Sequence, residues 1–215
     1  LDASWHLPNV SRNAQDEYKL NHINSSIFFD IDKNSNQNTN LPHMLPSRDN
    51  WENNLSNLGI NNSDHIVVYD NSDIFSSCRV WYTFLYFGHN PNLISVLDGS
   101  YKKWISEKLP TSKVIEKIDK SNYTANENTL LVINKEQINE NIINKKFQLI
   151  DARGEKRFLG LQPEPRKELK NGNIKGSINL PFQLLFEENR TFKKKEELIK
   201  IFKDKKIIID KEMAF

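Results

Sequence analysis

Two arginines, Arg157 and Arg166, lie nine residues apart in the stretch DARGEKRFLGLQPEPRKELKNGNIKGSINLPF, which runs from Asp151 to Phe182. A guanidinium stays charged and presents a planar fork that takes a carboxylate through two parallel hydrogen bonds. The pair is therefore suited to holding a small anion, although solvated loop charges or structural ion pairs would use the same residues. Pro163 and Pro165 stiffen the backbone before Arg166 and reduce the entropy lost in positioning it. No nucleophile stands beside them. The chain has one cysteine, Cys78, in DNSDIFSSCRVWYTF. The loop before it has no glycine with which to fold backbone N–H groups around a thiolate, so it reads as a structural residue. One cysteine excludes an intrachain disulfide and a cysteine zinc cluster, and nothing in the sequence calls for a metal or organic cofactor. His43, in LPHMLP, is the remaining titratable residue singled out, and on its own it reads as a surface histidine in a polar loop.

The elements that must carry these residues follow an approximate repeat. LDAS at 1–4 returns as IDAR at 150–153, and HINSSIFF at 22–29 returns as NIKGSINL at 173–180. Two pairs in the same order at nearly the same offset indicate duplication. In the first half, SIFFD, HIVVYD and LISVLDG read as strands. SRDNWENNLSNLG, CRVWYTFLYFG and SYKKWISE read as helices, the first capped by Ser47 and stopped by Gly59, the second ended by Gly88. Trp51, Leu55 and Leu58 give the first of them one apolar face. In the second half, FQLID, GSINL and EMAF read as strands, and NKEQINENIIN and KKKEELIKIF as helices. Strands alternating with helices imply parallel pairing, so the expected fold class is α/β with two tandem domains, each a small parallel sheet flanked by helices. The expected boundaries are residues 1–110, a polar linker over 111–130, and 131–215. The second domain reads as incomplete and the chain as clipped at both ends, which predicts low stability for the second domain alone.

Charged residues make up 27% of the 215 and the net charge is +2, so there is no basic field for nucleic acid. No apolar run approaches the roughly 18 residues needed to span a bilayer. The partner expected from this is small or modestly charged. A single cysteine and the lack of a signal segment suggest the cytoplasm.

The segments LDASWHLP, LPHMLPS, RVWYTFLYFGH, VLDGSYKKW, LIDARGEKRFLGLQPEPR and NGNIKGSINLPF, in this order, resemble the tandem rhodanese-domain sulfurtransferases, and within them the 3-mercaptopyruvate sulfurtransferase branch. The resemblance covers nearly the whole chain. It implies an enzyme that moves a sulfane sulfur from 3-mercaptopyruvate, through a cysteine persulfide, to a thiol, cyanide or protein acceptor. It also implies that Arg157 and Arg166 bind the donor, and that His43, with Asp32 eleven residues before it, forms a proton relay with a serine of the nucleophile loop. Arg166 stands where thiosulfate-specific relatives tend to carry an acidic residue, which favours 3-mercaptopyruvate. On the same register the nucleophilic cysteine would fall two positions beyond Phe215, so the chain as given lacks it and is expected to be inactive alone. The family's glycine-rich turn becomes GNIKG at 172–176, and its second glycine in VLDGG becomes Ser100. Two alternatives remain open: a thiosulfate sulfurtransferase with the same chemistry, and a non-catalytic tandem rhodanese module that binds a partner.

Overall fold

A computed structural model describes residues 1–165 and 169–215. They divide into two compact units, Leu1–Leu131 and Val132–Phe215.

In the first unit the chain enters as an extended segment. Asp2 bridges Phe28 on one side and Tyr69 on the other, both in parallel. Beyond Tyr69, strand β2 (Ile66–Val68) pairs in parallel with β3 (Ile94–Val96). Helices α2 (Arg48–Asn57) and α3 (Ser76–Tyr86) supply the apolar cover. Helix α2 starts where the sequence places it: the Ser47 hydroxyl accepts the Asn50 N–H at 3.3 Å, and Gly59 leaves the helix at φ 69°. Its apolar face buries Trp51 and Leu55 completely, and Trp51 stacks on Phe87 and meets Phe29 and Phe84 edge-on. Gly88 ends α3 at φ 78°, where an added Cβ would lie 2.4 Å from the Asn126 carbonyl oxygen. Helix α1 (Ala14–Leu20), which the apolar pattern does not announce, is capped by the Asn13 side chain and buries only Tyr18. Helix α4 (Ser100–Ser106) closes the unit. Ser100 takes φ 55° where the resembling family has a glycine, and its hydroxyl accepts the Asp70 N–H and donates to the Asp70 carbonyl, both at 2.6 Å.

The stretch expected as a linker over 111–130 belongs to the first unit. Strand β4 (Thr111–Ser112) pairs antiparallel with β1 (His22–Ile23), and Tyr123 and Ala125 are buried in the core. The Asn62 side chain holds Thr124 from both sides, accepting its N–H at 2.9 Å and donating to its carbonyl at 2.7 Å. Polar side chains that satisfy an extended backbone give this segment its loop-like composition.

The second unit is a three-stranded parallel sheet in the order β6 (Ile178–Asn179), β5 (Gln148–Asp151), β7 (Met213–Ala214). Helix α5 (Lys135–Asn144) opens with a reciprocal capping box between Asn134 and Gln137. Buried Asn141 then ties the helix to the strand, donating to the Phe147 carbonyl at 3.0 Å and accepting its N–H at 2.9 Å. Short α6 (Glu155–Phe158) follows β5, and α7 (Lys195–Asp204) packs Ile201 and Phe202 against a small core of Ile150, Leu180 and Ile207.

Three hydrogen bonds recur in the two units. Phe29 N–H to Asp2 O matches Leu180 N–H to Asp151 O; Ser4 N–H to the Asp2 carboxylate matches Arg153 N–H to that of Asp151; Ser26 N–H to Ile23 O matches Ser177 N–H to Ile174 O.

Candidate active site

In the second unit, the turn after β5 is built on Asp151. Its carboxylate accepts the Arg153 N–H at 3.0 Å, which reverses the chain and starts α6 at Gly154. Asn179, on the neighbouring strand, donates to the carbonyls of Asp151 and Arg153 at 3.0 and 2.8 Å and locks the turn. Helix α6 then presents Arg157, and Gly160 ends it at φ 72°.

Arg157 is not a solvated charge. Its Nη2 donates to Glu164 Oε2 at 2.5 Å, and the other oxygen of that carboxylate accepts from Arg153 Nη1 at 2.7 Å. Arg153 in turn forks onto Asp151 and donates to the Gly172 carbonyl at 2.8 Å. The side chain of Glu164 is 2% exposed, whereas both arginines remain 30% exposed. The result is an ordered chain of charges, Asp151, Arg153, Glu164, Arg157, with its buried carboxylate in the middle. Arg166, with Lys167 and Glu168, lies outside the described residues. Glu164 was not among the residues the sequence singled out; its place between Pro163 and Pro165, beside the arginines, was the available signal.

The hydrogen bond from Arg157 holds the Glu164 carboxyl below the usual glutamate range, and Arg153 adds to this. Burial alone would raise Asp151, but its bonds from Arg153 outweigh that and hold it low as well. Both folded values are depressed, so this stabilisation is complete above the unfolded values of about 4 and is lost as pH falls through the folded ones. Acidification from pH 7 to about 3 should therefore lower the protection factors, taken against the intrinsic exchange rate at each pH, of the amides of Arg153 and Leu180, which close this turn. Unchanged protection would show that the charge chain contributes nothing to stability.

In the first unit the structure brings Asp32 and His43 together: His43 Nε2 donates to Asp32 Oδ1 at 2.9 Å. Trp5 Nε1 donates to the other oxygen at 2.9 Å, and its ring meets the imidazole edge-on at 4.6 Å. His43 takes φ 54°, and Arg79 Nη2 clamps its carbonyl at 2.5 Å. With Nε2 carrying the proton toward the carboxylate, Nδ1 is the nitrogen that can accept one. Asp30 is differently engaged, pairing with Lys33 at 3.1 Å.

The strand-end loop that follows β2 holds a second anion. Asp70 is fully buried, and its two carboxylate oxygens accept the N–H groups of Ser72 and Ser77, each at 2.9 Å. Cys78 follows within α3 and is partly buried. Among the described residues there is no cluster of side chains that could hold a metal ion, and no helix is long and apolar enough to cross a membrane.

Parallel strands, helical cover and a carboxylate-turned loop after the central strand define an α/β rhodanese fold, and residues 11–107 match the model of the rhodanese-like domain. The chain is 37% identical over 216 residues to 3-mercaptopyruvate sulfurtransferase of Mus musculus, covering 100% of this chain and 72% of that protein. It is 40% identical over 210 residues to thiosulfate sulfurtransferase of Rattus norvegicus, covering 96% and 70%. The crystal structure of SseA from Escherichia coli, one of the 3-mercaptopyruvate sulfotransferases, superposes with a TM-score of 0.88 at 30% identity over 99% of this chain and 79% of that one. The chain belongs to the rhodanese-domain sulfurtransferases.

Proposed function

We propose that this sulfurtransferase takes its sulfur from 3-mercaptopyruvate, as two tandem rhodanese-like domains with divided tasks. The second unit anchors the donor's carboxylate through Arg157 and Arg166. A cysteine thiolate, expected two positions beyond Phe215, attacks the donor sulfur; the carbon–sulfur bond breaks, and pyruvate leaves as its enolate and takes up a proton. The persulfide then gives its outer sulfur to a thiol, a protein or cyanide. His43, oriented by Asp32, handles a proton in this scheme. The observation that carries the reading is the guanidinium of Arg157, 30% exposed, fixed on Glu164 beside a turn that Asn179 and the Asp151 carboxylate hold in place. The rat thiosulfate sulfurtransferase at 40% identity supports a second reading, with thiosulfate as donor and the same persulfide chemistry.

Kinetics of the full-length gene product with both donors separate the two. Arg166→Ala should lower kcat/KM for 3-mercaptopyruvate about tenfold more than for thiosulfate, the size of one charge-assisted contact. Equal losses for both donors would overturn the choice of donor.

A further inference from the structure

Asp32 and His43 lie in chain that forms no helix or strand, between β1 and α2, so no regular element fixes the pair. The carboxylate of Asp32 only accepts, so the His43 nitrogen that faces it carries a proton and Nδ1 is the one left to take one up. The Asp32 side chain is 65% exposed and that of His43 23%. An exposed pair of this kind loses side-chain entropy when it holds one geometry. Two further side chains restrict it. Trp5 Nε1 donates to the second carboxylate oxygen at 2.9 Å, which stops the carboxylate turning, and its ring stands edge-on to the imidazole at 4.6 Å. Arg79 Nη2 donates to the His43 carbonyl at 2.5 Å and holds a backbone with φ 54°, a region that residues with a Cβ seldom occupy.

Both restraints start from one place. The Trp5 N–H donates to the Ser72 hydroxyl at 2.7 Å, and the Ser72 N–H is held by the Asp70 carboxylate. The other oxygen of Asp70 accepts the Ser77 N–H in the first turn of α3, two residues before Arg79. From this common anchor Trp5 reaches Asp32 and Arg79 reaches His43. We propose that Trp5 and Arg79 are the positioning residues of the Asp32–His43 pair, and that the turn built on Asp70 sets them both. This rests on the reading of His43 as a proton carrier. Neither residue handles the proton. Trp5 fixes the carboxylate, and with it the imidazole nitrogen that stays protonated; Arg79 fixes the backbone from which the imidazole projects.

The test is a pair of double-mutant cycles in the full-length gene product, with kcat and KM read for 3-mercaptopyruvate and folding read by a thermal melt. His43→Gln removes the proton carrier. Trp5→Phe removes the indole N–H and keeps an aromatic ring; Arg79→Met removes the donor and keeps an unbranched stem. Each of these two should lower kcat about tenfold, the size of one charge-assisted hydrogen bond, with KM little changed. In the His43→Gln background each should cost nothing further, because a residue that acts through His43 then has nothing to position. Arg79→Lys, which keeps a cationic donor, should recover most of the loss. A merely structural role would lower kcat by the same factor with or without His43, and that result overturns the proposal, as does an unchanged kcat in either folded variant. Should Trp5→Phe not fold, Trp5→Leu takes its place in the cycle. If His43→Gln alone leaves kcat unaltered, the reading of His43 as a proton carrier falls and the proposal with it; if His43→Gln is costly and the cycles are additive, only the positioning roles fall.

Discussion

Arg157→Ala should lower kcat/KM for the mercaptopyruvate donor by about 10²–10³-fold in the full-length gene product, with most of the loss in KM if anchoring is uniform between ground and transition states. The magnitude follows from truncating one partner of a partly desolvated, hydrogen-bonded charge contact, about 2–5 kcal/mol. Folding should survive, because Glu164 keeps its second partner, Arg153, at 2.7 Å. Arg157→Lys should recover little, since a point charge cannot hold Glu164 and a donor carboxylate from two edges of one planar group. Steady-state kinetics together with a thermal melt check this. Unaltered kinetics in a folded variant would remove Arg157 from the site.

Trp51→Ala should destabilise the first unit by about 3–5 kcal/mol, the range for deleting a large buried aromatic side chain. Trp51 is completely buried and makes ring contacts with Phe29, Phe84 and Phe87, so its loss opens a void bordered by three stiff rings that cannot close by rotamer change alone. All four tryptophans, Trp5, Trp51, Trp81 and Trp104, lie in Leu1–Leu131, so the fluorescence of the remaining three reports on this unit without interference from the other. A urea midpoint unchanged from that of the parent chain would refute the packing argument.

Much of this was legible because the local signals agree with one another. Helix α2 had a cap, a period and a stop, and all three appear in the structure. Helices α3, α5 and α7 and strands β2, β3 and β5 stood out for the same reason. The expected strand SIFFD shows what composition does not convey: only Phe28 bridges Asp2, because a short segment at the side of the central strand needs few ladder bonds when Tyr18 and Tyr69 take up the polar groups around it. Residues 111–130 look like a linker in sequence because their hydrophilic character comes from side chains such as Ser121, which reach back onto the core helix and its following loop instead of out to water. In the first unit, the pairing of Asp32 with His43 came from the family resemblance, and the two lie 2.9 Å apart. Glu164 stayed invisible because a carboxylate in a loop of arginines looks the same in sequence whether it is solvated or buried between them.

The carboxylate of Asp70 has a consequence of its own. Carrying the parallel register of β5 with β7 forward from Leu149 opposite Ala214 brings the partner of Asp151 one residue past Phe215, as Tyr69 partners Asp2. The counterpart of Asp70 then falls one residue further, where the family resemblance expects the sulfur nucleophile. A thiolate in such an amide cradle is open to oxidation to sulfenic and sulfinic acids. A carboxylate there is not. The first unit therefore keeps the anion around which its loop is folded through any oxidative episode, so the architecture set by Asp70 does not depend on the redox state around it.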